Sequence, residues 1–286
     1  MKNVLFNVLV FMLFGLGSSY AQQQVFDAPP RDGVYDKINV QNHKSVPYVD
    51  VREADVMWEK RIWRVIDLKE KINHPLYYPE KPHNNWRSLI TILLDALKEG
   101  AITAYDAPIG GTDEFLQPLT YQQIEQNLNR QDTQQLTRTE PPYDTYDTVI
   151  AITFNPMDIK QFKLKEDWFI DKQRSVLDVR IVGLCPMVAS KDEKGEDRGV
   201  KAICWFYFPE LRNILAHQEV YNRYNDAARF SFDDLFWKRM FGSYVIKESN
   251  VYDRSINEYL LGMDALLEAE KIKDNIFKFE HDLWEY

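Results

Sequence analysis

Two adjacent carboxylates beside a tryptophan are the residues of this sequence whose types could support catalysis. Glu166 and Asp167 precede Trp168, and a carboxylate pair in a cleft could carry out the acid–base chemistry of a hydrolase acting on envelope polymers. Neighbouring residues of a strand point to opposite faces of a sheet, so we expect the two carboxylates to lie apart. A carbohydrate-binding module is the other alternative, in which Trp168 and Trp205 would be exposed, coplanar stacking platforms.

The motifs of the common enzyme and metal-site classes do not occur in the sequence. It contains no Gly-rich phosphate loop, no G-x-S-x-G elbow, no H-E-x-x-H and no EF-hand pattern. His74 and His83 are near each other without a carboxylate at ligand spacing, and His217 is expected to be a hydrogen-bonded structural residue of a helix. We therefore predict a protein that is not an enzyme and that uses no cofactor or metal.

The first 21 residues have the pattern of a secretion signal. Lys2 precedes a mostly apolar run over residues 4–16, and Ser19-Tyr20-Ala21 supplies a small-x-small cleavage site. The run is shorter than the roughly 20 residues of a membrane-spanning helix. A lipid-anchored protein would need a cysteine at the cleavage site, whereas the first cysteine is Cys185. We expect cleavage after Ala21 and an exported protein with no membrane anchor of its own.

Charge and aromatic content favour protein partners. The formal net charge of −9 disfavours nucleic acids and anionic membranes, which attract clustered Lys and Arg. Aromatic residues make up 14% of the chain, and aromatic side chains are enriched at protein interfaces. The candidate partner contacts are Trp168, Trp205, Trp237 and Trp284.

The chain is expected to comprise an arm and one domain. Residues 22–50 are rich in Pro, Gln, Asn and Asp without apolar periodicity, which predicts an extended arm that is either disordered or bound to a neighbour. Residues 51–286 are expected to form a single domain, with a possible sub-boundary in the polar connector at 129–142.

Apolar periodicity predicts both helices and strands within this domain. A helix is predicted over 52–68, burying Val56, Trp63 and Ile66, and the clearest helix is that over 89–97. Capping boxes predict helices that begin after Thr120, Ser231 and Ser255. In the last of these helices, one face is lined by Ile256, Tyr259, Leu260, Met263 and Leu267. Strands are predicted over 162–170, 176–187 and 200–208, followed by a helix over 209–224. The fold class is therefore α+β, with a central antiparallel β-meander flanked by amphipathic helices and an extended N-terminal arm.

The two cysteines are predicted to meet across a hairpin. If its turn is centred on Lys194-Gly195, then Cys185 lies opposite Cys204, and Gly183 lies opposite Phe206. Directly opposed cysteines in an oxidising compartment can form a cross-strand disulfide. Two buried free thiols are the alternative.

Several segments resemble the GldN/PorN family, the periplasmic component of the type IX secretion and gliding motility machinery. The segments are Glu166–Lys172, Arg180–Gly183, Trp205–Arg212, Lys247–Asn250 with Asp253-Arg254, and Leu283–Tyr286, and the similarity covers essentially the whole chain. The resemblance implies a ring complex with an outer-membrane lipoprotein of the GldK or PorK type. It also implies self-association in that ring and contact with the periplasmic part of the GldL and GldM motor, through GldM.

Overall fold

The structure is a computed structural model that describes residues 34–35, 39, 42–83, 85–107, 113–128, 130–137, 145–152, 155–191 and 197–283. The chain divides into two units, Met1–Lys37 and Ile38–Tyr286, and the helices and strands below belong to the second. The predicted signal peptide, 1–21, lies outside the described residues. So does most of the first half of the predicted arm.

An antiparallel sheet forms the centre of the second unit. Within the described residues it has eight strands, in the order β10-β1-β6-β7-β9-β2-β3, with β8 also paired to β7. These strands are β1 (Val56–Asp67), β2 (Ala104–Tyr105), β3 (Pro118–Leu119), β6 (Ile159–Asp171), β7 (Val176–Lys191), β8 (Asp197–Ala202), β9 (Trp205–Tyr207) and β10 (Tyr244–Glu248). The polar connector predicted at 129–142 instead contributes to a separate hairpin of β4 (Arg130–Thr137) and β5 (Thr145–Ile152).

Helices flank the sheet. The α-helices of the described residues are α1 (His74–Tyr77), α2 (Leu89–Lys98), α3 (Tyr121–Leu128), α4 (Phe208–Ala216), α5 (Phe232–Trp237) and α6 (Met263–Asp282). Short 3-10 helices occur at Glu53–Asp55, Lys71–Asn73, Pro156–Asp158 and Ile256–Glu258. This arrangement confirms the predicted α+β class.

The helix predicted over 52–68 is wrong, because the segment forms strand β1. It lies between β10 and β6 in the sheet, and side chains on both of its faces are buried under other parts of the chain. Ile62 and Ile66 are buried on one face, while Trp63 and Val65 are buried on the other. A strand covered on both faces has no apolar alternation, and its apolar run resembles that of a buried helix.

The predicted meander is confirmed for β6, β7 and β8, which pair in sequence order. The turn between β6 and β7 is held by Asp171, whose carboxylate accepts hydrogen bonds from the Gln173 backbone amide at 2.8 Å and the Arg174 guanidinium at 2.7 Å. Ser175 follows with φ of 52°. The remaining strands extend the meander in a non-sequential order.

The most periodic predicted helix is confirmed. In α2 every residue of the predicted apolar stripe is buried, and Gly100, with φ of +72°, provides the left-handed position after the helix. The capping box of Thr120 with Gln123 precedes α3. That of Ser231 with Asp234 opens α5. The helix after Pro209 ends at Ala216 rather than near residue 224.

The C-terminal helix begins later than predicted, and its predicted apolar face is confirmed only at Ile256 and Leu260, which pack in the cluster with β1 and β10. The capping box of Ser255 with Glu258 is present but opens only a single 3-10 turn. Gly262, with φ of +62°, then separates this turn from α6. The buried face of α6 consists of Ala265, Ala269, Ile272 and Ile276, whereas Met263 and Leu267 are exposed.

The buried side chains form three clusters. The largest lies between the sheet and helices α2, α4 and α5 and includes Phe162, Leu184 and Phe206. A second joins β1 and β10 to α6. The third, containing Trp63, Cys185 and Trp205, covers the other face of the sheet, since these residues alternate along their strands with members of the largest cluster.

Candidate functional site

The two carboxylates considered for catalysis are held apart by separate arginines. Glu166 is fully buried and pairs with Arg239 at 2.9 Å, and Asp167 accepts two hydrogen bonds from Arg61, at 2.6 and 2.9 Å. Each carboxylate is therefore matched by a cation on its own face of the sheet. No group of three or more potential metal ligands occurs among the described residues.

Trp168 and Trp205 do not form a paired stacking platform. The Trp168 indole is half-buried, donates a hydrogen bond to Glu166 at 3.1 Å and lies under the Arg239 guanidinium. Trp205 is 3% exposed and packs with Cys185 and Trp63 in a different cluster. The sugar-binding alternative required both indoles to be exposed, and Trp205 does not meet that requirement.

The cysteines are free, buried thiols in the structure. Near its tip the hairpin has the predicted register, with Met187 opposite Ala202, but β9 pairs with β7 one residue out of that register. Leu184 rather than Gly183 therefore lies opposite Phe206, so the predicted pairing of Gly183 is wrong.

This shift of one residue separates the environments of the two thiols. Cys185 packs with Trp205, whereas Cys204 packs in the cluster of Phe206, because a one-residue shift in a strand moves side chains to the opposite face. Burial raises the pKa of the Cys185 thiol to about 12 and also raises the pKa of Cys204. Neither thiol is placed to act as a nucleophile.

The last part of the predicted arm is bound to the domain of its own chain. Tyr48 lies in a cleft where its ring centroid is 5.4 Å from that of Trp237 and 4.2 Å from the Arg212 guanidinium carbon. The Arg180 guanidinium also lies over the Tyr48 ring and donates a hydrogen bond to the Val49 carbonyl. We call this cleft the Tyr48 site.

A buried ion pair forms the floor of the Tyr48 site. Arg212 of α4 and Asp233 of α5 are joined by two hydrogen bonds of 2.9 and 3.2 Å, and both side chains are 5% exposed. Asp233 therefore neutralises the charge of the Arg212 guanidinium, and one face of this guanidinium contacts the Tyr48 ring. Tyr48, Arg212, Asp233 and Trp237 also line a cavity of about 280 Å³.

Trp237 thus has a contact within its own chain. The indole is 47% exposed, with Tyr48 and Arg212 against it. Trp284, the remaining candidate partner contact, lies outside the described residues. No local sequence pattern indicates the Tyr48 site, because Tyr48 is more than 130 residues away from Arg180 and further still from Arg212 and Trp237.

Among the described residues, a group of exposed apolar side chains lies just before and within the first turns of α6. We call it the C-terminal patch, and its members are 46–97% exposed: Val251, Tyr252, Tyr259, Leu261, Met263, Leu266 and Leu267. Arg254 lies over the rings of Tyr252 and Tyr259 and brings these two residues together. Single exposed apolar residues are ordinary, whereas larger apolar surfaces mark contact sites, and these seven residues lie within 17 positions of the chain.

The C-terminal patch was not predicted, because Met263 and Leu267 were expected to share one apolar helix face with Ile256 and Leu260. The sequence did contain the necessary signal, since Ala265, Ala269, Ile272 and Ile276 recur at i, i+4, i+7 and i+11. Small residues allow close packing of a helix on a sheet, but they contribute little to apolar periodicity. The larger exposed side chains therefore dominated the pattern.

Two comparisons with known proteins and one property of the helices bear on the type of protein. None of the helices in the described ranges combines the length and the apolar composition needed to cross a membrane. No curated protein matches the chain. The profile of the family described as "Gliding motility associated protein GldN" matches residues 51–285, which is nearly the whole chain and includes both the Arg212–Asp233 pair and the C-terminal patch. The chain belongs to the GldN family of gliding-motility-associated proteins.

Proposed function

We propose that this chain is a structural subunit of the type IX secretion and gliding machinery, which acts in the periplasm through contacts with other proteins. Membership of the GldN family supports a role in that machinery. The observation that carries the structural role is the C-terminal patch, because it exposes seven large apolar side chains on a family-matched domain. Apolar surface of this kind gains free energy when a partner removes it from water.

The proposed partners are those that the family resemblance implies. An outer-membrane lipoprotein of the GldK or PorK type would anchor the chain, copies of the chain would associate in a ring, and GldM with GldL would couple the ring to the inner membrane. A signal peptide cleaved after Ala21 would deliver the chain to the periplasm. The net charge of −9 is compatible with protein partners and disfavours direct binding to an anionic membrane.

A matched pair of substitutions tests the role of the C-terminal patch. Leu261→Glu places a charge in the patch, and Leu116→Glu places the same charge at another exposed leucine; the two side chains are 80% and 68% exposed. If the lipoprotein covers the patch, then Leu261→Glu lowers recovery of the lipoprotein with the tagged chain by about tenfold. Leu116→Glu leaves recovery unchanged. Equal recovery with both variants would show that the patch is not the contact.

The part of the arm that precedes the Tyr48 site is proposed as a second contact, and it can be tested without disturbing that site. Deletion of residues 22–41 retains Ser45, whose hydroxyl donates a hydrogen bond to Asn213 at 2.8 Å, and retains Tyr48 in its cleft. Recovery of the lipoprotein should fall while the thermal unfolding midpoint stays the same. Unchanged recovery would remove the arm from the proposal and leave the patch as the contact.

A further inference from the structure

Helix α6 contacts its own domain through a narrow seam. Only the four residues Ala265, Ala269, Ile272 and Ile276 are buried among the 20 of this helix. The helix is about 30 Å long at 1.5 Å per residue, so most of its circumference faces outward along this length. A helix exposed to this extent is stabilised mainly by its packed side and is free to accept a partner on the others.

A second seam runs along one outward side of α6. Leu266, Glu270, Lys273 and Phe277 are spaced i, i+4, i+7 and i+11, which places them on one line along the helix. Leu266 is 53% exposed and Phe277 is 65% exposed, and the side chains of Glu270 and Lys273 are 62% and 56% exposed. The charged pair forms an ion pair of 2.9 Å within the helix. The outer seam thus has an apolar residue at each end and opposite charges in the middle.

This outer seam is complementary to itself when its direction is reversed. In an antiparallel pair of α6 helices centred between residues 271 and 272, Leu266 of one copy lies opposite Phe277 of the other. Glu270 then lies opposite Lys273, and by symmetry the same two contacts occur twice. Apolar groups meet apolar groups, and each acid meets a base.

Other pairings of the same seam are less favourable. A parallel pair would place Glu270 opposite Glu270 and Lys273 opposite Lys273, which is repulsive at both positions. An antiparallel pair shifted by one residue would place Glu270 opposite Asp274. Charge therefore selects both the direction and the register of the pair.

We propose that α6 is a homotypic interface, in which the outer seam of one copy binds the same seam of a second copy in an antiparallel arrangement. The contact is isologous, so it joins two subunits about a two-fold axis. It is distinct from a head-to-tail ring contact and can occur alongside one. The occupant is a second copy of this chain because the complementarity is between the seam and itself.

Two single charge reversals and their mixture provide the test. In Glu270→Lys the seam carries two lysines, and in Lys273→Glu it carries two glutamates, so each variant repels itself. When the two variants are mixed, every acid again lies opposite a base. Analytical ultracentrifugation of the purified mature chain should show a dimer for the natural sequence and a dimer dissociation constant about tenfold higher for each single variant. The equimolar mixture should form a heterodimer with the original affinity.

Controls separate this interface from effects on the helix itself. Lys271→Glu reverses a charge in a similar ion pair, with Glu268 at 3.2 Å, outside the seam, and should leave the dimer unchanged. Phe277→Ala should weaken the dimer without changing the circular dichroism spectrum, because Phe277 is exposed in one copy.

Either of two results would overturn the proposal: a natural chain that stays monomeric at all concentrations, or a mixture that does not restore association. Association that persists equally in all variants would place the self-contact elsewhere. The measurement uses the purified chain alone, so failure of the helix pairing leaves the proposed secretion role untouched.

Discussion

The Tyr48 site and the surface of α6 both bear aromatic and charged side chains, but they differ in what covers them. In the Tyr48 site the chain supplies its own occupant, and the charge of Arg212 is matched by Asp233. On α6, Leu266 and Phe277 are more than half exposed, and no described part of the chain covers them. Whether an aromatic residue serves a partner therefore depends on its contacts within the chain rather than on its type.

This difference separates residues that stabilise the domain from residues that serve contacts between chains. Substitutions in the Tyr48 site should change the free energy of unfolding, and substitutions on α6 should change association only.

Loss of the buried ion pair should have the largest effect on the free energy of unfolding. Arg212→Ala leaves the Asp233 carboxylate buried without its partner, which should lower the free energy of unfolding by about 3–5 kcal/mol. Arg61→Ala is the matched control, because its ion pair with Asp167 is more exposed and should contribute about 0–1 kcal/mol. Urea unfolding followed by tryptophan fluorescence measures both. Equal losses would show that the Tyr48 site has no special structural role.

Release of the arm should have an intermediate effect on the free energy of unfolding. Tyr48→Ala removes the ring that contacts Arg212 and Trp237, which should lower the free energy of unfolding by about 1–2 kcal/mol and make residues 43–50 susceptible to proteolysis. Tyr48→Phe retains the ring and should behave like the natural protein. Protease resistance of residues 43–50 in the alanine variant would contradict anchoring by Tyr48.

High pH should weaken the same anchor. Burial raises the pKa of the Tyr48 phenol, because the cleft favours its neutral form. The contribution of Tyr48 is therefore complete below the ordinary tyrosine pKa of about 10 and is lost as the pH rises through the higher pKa of the docked state. Proteolysis of residues 43–50 should accelerate in that range. The Tyr48→Phe variant, which has no titrating group there, should show no such acceleration.

Charge in the C-terminal patch should leave stability nearly unchanged. Leu261→Glu alters an exposed side chain, so the free energy of unfolding should change by less than about 0.5 kcal/mol. A loss as large as that of Arg212→Ala would mean that the patch belongs to the fold and is not a free surface. Thermal unfolding of the purified variant makes this distinction.

Treatment with a reducing agent should leave the free energy of unfolding unchanged, because the two cysteines are free thiols in different clusters. Thiol titration should detect no reactive group in the folded chain and two after unfolding in denaturant. A cross-strand disulfide would instead give no thiols after unfolding, and its reduction would cost about 2–4 kcal/mol.

Much of the fold could be predicted from local patterns. The stripe of α2, the capping boxes and the turn at Asp171 each follow from residues close together in sequence, and all are present. β1 could not be identified as a strand because both of its faces are buried. The Tyr48 site joins distant segments, so no local pattern indicates it. In α6, alanines form half of the buried seam. Because alanine contributes little to apolar periodicity, the buried face of this helix could not be recognised from that periodicity.

The most direct test of the central proposal is the mass and composition of the complex that contains the native chain. The tagged chain is isolated from gently solubilised envelopes, its mass is measured by light scattering, and its companions are identified by mass spectrometry. A structural subunit should be recovered in a particle of megadalton size together with an outer-membrane lipoprotein. Recovery as a monomer without companions would contradict the scaffold role.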